Sequence, residues 1–148
     1  HFSTASWPTM GSRRKGREAA LRILYFMDVS EVSDAQAIKH YWGHLVDAPD
    51  PSEEQEFANM IVRGYAAHRD QVDDLIRSSS HHWRLERMPI VDRNVLRVSI
   101  VELQRMSDIP KRVTLNEAVE LAKRFGSEGS GSFVNGVLDR IATELGKQ

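Results

Sequence analysis

The chain has 148 residues, 41% of them hydrophobic, enough for one core or two small abutting ones without covalent staples. It contains no cysteine, which excludes disulfides, thiolate catalysis and zinc–thiolate sites, and no apolar run approaches the ~18 residues of a membrane span. A formal net charge of −1 conceals strong segregation: residues 11–22 hold five basic groups against one acid, 28–74 hold eleven acids against three bases, and 75–112 hold eight bases against four acids. A near-neutral chain segregated in this way can still present a phosphate-binding face.

Residues 1–9 have neither the basic start nor the apolar centre of a signal peptide. Met10-Gly11 reads as a natural start, so these residues are expected to be a disordered extraneous or processing remnant. Ala20, Ile23, Leu24 and Met27 then repeat at i, i+3, i+4, i+7, one face of a helix. Ser33 and Gln36 form a capping-box pattern ahead of Ala37, Ile38, Tyr41 and Trp42, and Pro49-Asp50-Pro51 breaks the chain. A second such pattern, Ser52 with Gln55, opens a helix through Phe57, Met60, Ile61, Gly64 and Tyr65. A short helix with Val72, Leu75 and Ile76 stops around Ser78-Ser79-Ser80.

Pro89 suits the first turn of the next helix. From Ile90 to Met106 apolar residues cover more than one face, the mark of a central helix packed on several sides, and Pro110 ends the segment. Thr114 and Glu117 make a third capping-box pattern, with Leu115, Ala118, Val119, Ala122 and Phe125 behind it and Gly126 at the helix-ending position. A loop from Gly126 to Ser132 precedes a last helix with Val134, Val137, Leu138, Ile141 and Leu145. The prediction is an all-α fold.

Several blocks carry a family resemblance. They are Arg13-Arg14-Lys15-Gly16-Arg17-Glu18-Ala19-Ala20 with Leu24-Tyr25, Asp92-Arg93-Asn94-Val95-Leu96-Arg97 with Glu102-Leu103, the run Asn116 to Gly126, and Phe133-Val134-Asn135-Gly136-Val137-Leu138-Asp139. From about Ser12 to Leu145 the chain resembles the NusB family of transcription antitermination factors, most weakly between Asp28 and Ser80. The resemblance implies about seven helices in two packed subdomains, about 12–80 and 81–146. It implies binding of the single-stranded boxA element of nascent ribosomal-RNA leader transcripts, with a small-subunit ribosomal protein acting as NusE, on an elongating RNA polymerase complex. A NusB-like domain also fronts some ribosomal-RNA cytosine methyltransferases. With no room before Gln148 for a methyl-donor domain, the chain resembles the stand-alone form. The setting implied is cytoplasmic, with no cofactor; a monomer and a homodimer are both compatible with the sequence.

On a helical wheel Arg14, Arg17, Leu21 and Tyr25 fall together on the flank of the first core stripe. Guanidinium forks pair with phosphate oxygens and an aromatic ring can stack an unpaired base. With the resemblance, Arg13, Arg14, Lys15, Arg17 and Tyr25 become candidate RNA contacts; the plainer alternative is a solvated basic helix start with Tyr25 at the edge of the core. Cations at a helix amino terminus oppose the macrodipole, as a patch kept for binding would. By resemblance Phe133 stacks a base beside the Gly126–Ser132 loop, although Gly129, Gly131 and Ser132 lack the charges that relatives can carry there. That loop lacks a P-loop ending, and an ordinary connection is its alternative. Asp92 is a candidate for docking the ribosomal protein, or simply a first-turn acid.

His40 and His44 have metal-pair spacing but no third ligand, so no metal site is expected. His81-His82-Trp83 reads as a loop, and Asp73-Asp74 and Glu53-Glu54 as solvated faces. No nucleophile elbow is present. Catalysis has no support, and the rival to RNA binding is a protein-interaction module docking through the acidic middle.

Overall fold

The computed structural model describes residues 10–43, 50–81 and 83–147. Among these it contains seven α-helices and no strand: α1 (Met10–Ser30), α2 (Asp34–Trp42), α3 (Glu53–Ala67), α4 (Arg69–Ser79), α5 (Ile90–Arg105), α6 (Lys111–Phe125) and α7 (Ser130–Glu144). A 3-10 turn, Leu85–Arg87, precedes α5. The described residues form two compact units, one up to Arg63 and one from Gly64. The expectations for residues 1–9, His44 and His82 lie outside the described residues. No described helix is long and apolar enough to cross a membrane.

In the first unit α1 packs on α2. Ser33 caps α2 with the full reciprocal box, its hydroxyl accepting from the Gln36 amide while Gln36 Oε1 accepts from the Ser33 amide. Ser52 caps α3 by accepting from the Gln55 amide at 3.0 Å. The α1–α3 approach is set by Gly16, where an added Cβ would stand 2.8 Å from Phe57 Cδ2 and 3.2 Å from the Glu54 carbonyl oxygen. Only a residue without a side chain lets these backbones come so close.

In the second unit α5 is the central helix, flanked by α4, α6 and α7. Its buried residues include Val95, Leu96, Val98, Ile100, Val101 and Leu103, together with Asp92, Asn94, Arg97, Ser99 and Glu102. Buried polar groups must find partners inside, and these do. Arg97 forms a fork on Asp73, and the same carboxylate accepts from the Tyr65 hydroxyl at 2.9 Å. Asp73 is therefore internal, which corrects the solvated Asp73-Asp74 face; Asp74 alone is exposed, and it pairs with Arg77.

The third capping box is also corrected. Pro110 stands at the N-cap of α6, and Thr114 is buried within the helix, its hydroxyl donating to Glu102 Oε2 at 2.5 Å. Lys147 Nζ donates to the Met106 carbonyl at 2.8 Å, closing the exit of α5.

Candidate nucleic-acid interface

At 100° per residue, Arg14, Lys15, Arg22 and Tyr25 fall within an arc of about 100° on α1, and all four are exposed, Tyr25 by 41%. Val29, 56% exposed, continues the same ridge. The other two expected cations lie on the covered side. Arg17 is 5% exposed, with its guanidinium 5.5 Å from the Phe57 ring centre, and half-buried Arg13 lies 5.8 Å from the same ring. Leu21 is buried as well.

The expected exposed edge of Arg14, Arg17, Leu21 and Tyr25 is thus corrected to Arg14, Lys15, Arg22 and Tyr25. Phe57 of α3 covers the flank where Arg17 emerges, so the buried arc of α1 is wider than its apolar stripe. The signal for Arg22 in the sequence is its seven-residue, two-turn spacing from Lys15.

In the second unit Phe133 lies in the first turn of α7 and is half-buried. Its ring meets that of Trp83 edge-on, with centroids 6.2 Å apart at 70°. The Gly126–Ser132 loop is shorter than expected: Ser130, Gly131 and Ser132 already belong to α7, whose N-cap is Gly129 at φ +92°. Gly126 is extended, at φ −97° and ψ −160°, and not left-handed. It is glycine because a Cβ there would stand 2.6 Å from Ser130 Oγ and 2.7 Å from the Ala122 carbonyl oxygen.

Asp92 lies in the first turn of α5 and is 4% exposed. Its Oδ1 accepts from Ser130 Oγ at 2.7 Å, and Ser130 Oγ in turn accepts from the Ser127 amide at 3.1 Å. The carboxylate thus joins the starts of α5 and α7 from within. His40, the described half of the possible metal pair, is stacked on Phe26 at 4.6 Å. Among the described residues no group of three or more histidines, aspartates or glutamates is placed to hold a metal.

The family model described as NusB matches residues 14–143. The chain belongs to the NusB family. The matched stretch includes Arg14, Lys15, Arg17, Tyr25, Asp92 and Phe133, and leaves out Arg13. The transcription antitermination protein NusB of Myxococcus xanthus is 48% identical over 140 residues, covering 93% of this chain and 99% of its own. Among solved structures, NusB of T. maritima superposes with a TM-score of 0.80 at 39% identity, covering 89% of this chain and 91% of its own. A NusB in a crystal structure with NusE and double-stranded RNA superposes with a TM-score of 0.79 at 26% identity, covering 92% of this chain and 99% of its own. The seven-helix NusB architecture therefore extends over nearly the whole of this sequence.

Proposed function

We propose that this chain is a transcription antitermination factor that binds the boxA element of nascent ribosomal-RNA leader transcripts. It acts together with the ribosomal protein serving as NusE, on an elongating RNA polymerase, in the cytoplasm and without catalysis of its own. The observation that carries this reading is the 48% identity over 93% of the chain to a transcription antitermination protein. A relative of the same fold held with NusE and RNA supports the choice of partners.

For RNA, Arg14, Lys15 and Arg22 of the first unit supply phosphate contacts and Tyr25 a ring face for an unpaired base; in the second unit Phe133 supplies another ring. Arg13 and Arg17, packed on Phe57, shape the ridge from beneath. Asp92 supports docking of the ribosomal protein indirectly, by fixing the start of α5. The rival, a module docking through the acidic middle, would do so without Asp73, which is held in an internal ion pair.

The test is a fluorescence-anisotropy titration of a labelled single-stranded boxA RNA, a scrambled RNA and a boxA duplex, with and without NusE. Preference for single-stranded boxA, strengthened by NusE and loosened steeply by salt, is the expected result. Equal binding of scrambled and boxA RNA with NusE present would overturn the reading.

A further inference from the structure

Among the described residues Trp83 is the most exposed aromatic, with 53% of its surface open, yet its backbone is firmly held. The Trp83 amide donates to the Ser80 carbonyl at 2.8 Å. Buried Ser80 donates its hydroxyl to the Ile76 carbonyl at 2.7 Å and lies 3.3 Å from the Trp83 carbonyl. Arg140 Nε fixes the preceding turn by donating to the Ser79 carbonyl at 2.8 Å. A large apolar ring kept in water on an anchored turn costs solvation that burial would recover.

Arg84 and Arg140 lie by the turn that carries this ring. Arg84 follows it directly and is exposed. Arg140 lies two turns along α7 from Phe133, on the same face. Edge-to-face aromatic rings flanked by cations suit an unpaired base with its phosphates, since stacking needs an open π-face and the flanking charge serves the backbone. A duplex, whose bases are already stacked, offers nothing to such a ring.

We propose that Trp83 is a base-stacking residue whose exposed ring, braced edge-on by Phe133, takes an unpaired RNA base. This rests on the RNA-binding reading above and extends it to a residue in the turn between α4 and α5.

The test uses the full chain with labelled single-stranded boxA RNA and the matching duplex, with and without NusE. Trp83→Ala is expected to weaken single-strand binding about five- to hundred-fold and Trp83→Phe much less. Duplex affinity and the salt slope stay as in the unsubstituted chain, because no phosphate contact is lost. Matching thermal melts for the two variants confirm that the fold is retained.

Single-strand affinity unchanged in Trp83→Ala, alongside a loss in Arg14→Ala, would overturn the stacking role and leave the RNA reading intact. No single-strand binding by the unsubstituted chain, even with NusE, would overturn both. A Trp83→Ala chain that loses NusE affinity in the absence of RNA would reassign the rings to a protein contact.

Discussion

Arg97 grips Asp73 through two parallel bonds, Nε to Oδ1 at 3.0 Å and Nη2 to Oδ2 at 3.2 Å, with both side chains 9% exposed. The guanidinium also donates from Nη1 to Asn94 Oδ1 at 3.0 Å and lies 4.8 Å from the Tyr65 ring centre. Removing one member of a buried, hydrogen-bonded ion pair strands the other and typically costs about 3–5 kcal/mol. Asp73→Ala is expected to lose stability of that order, whereas Asp74→Ala, on the exposed pair with Arg77, loses about 1 kcal/mol or less. Urea denaturation of the two variants checks this, and equal losses would contradict it.

The same cluster predicts an alkaline limit. Burial pushes the Tyr65 phenol above the ordinary tyrosine value; Arg97 pulls it back, and Asp73 raises it further. The unfolded chain gives up this proton near pH 10 while the folded chain still holds it. The associated stability is therefore complete below about pH 10 and falls as pH rises beyond it. Denaturation midpoints of the parent chain and Tyr65→Phe should differ by a constant amount from pH 7 to 9. Above pH 10 the gap should narrow; a gap that stays constant to pH 11.5 would contradict the assignment.

Gly16→Ala tests the approach of α1 and α3. The added methyl would meet Phe57 Cδ2 at 2.8 Å, an overpacking expected to cost about 1–3 kcal/mol. Because Phe57 also carries the Arg13 and Arg17 contacts, RNA affinity should fall with it. Phe57→Leu introduced alongside should recover part of the stability, measured as the midpoint of thermal unfolding.

Arg14→Ala and Arg17→Ala separate contact from support on a single helix. Loss of a phosphate contact at Arg14 should weaken all RNAs alike and reduce the salt slope by about one. Arg17→Ala should instead lower the melting temperature and leave the slope unchanged. A reduced slope in Arg17→Ala, with an unaltered melt, would return it to the surface role.

Much of the fold was legible because helices write their period into the chain. The reciprocal box at Ser33 and Gln36 has no competing use, and the all-round apolar pattern of α5 admits only a central position. Thr114 misled because the same spacing also occurs inside a helix, and Pro110 had already begun α6 four residues earlier. Asp73 and Asp74 are adjacent, yet they point about 100° apart on α4; which one turns inward depends on Tyr65 and Arg97, at sequence distances no local pattern spans. Arg14 and Tyr25 could be placed from the wheel. Arg17 could not, because its burial depends on Phe57 of another helix. Trp83 lies in a turn without periodicity, so only its neighbour Phe133 gives it meaning.

The chain of bonds from the Ser127 amide through Ser130 to Asp92 sets the angle at which α7 leaves its loop. Phe133 sits on that first turn, so its orientation is settled during folding, and a base stacking there as proposed would spend no affinity on ordering it. Substitution scans for RNA binding should accordingly register Asp92 and Ser130, two positions that RNA need never touch.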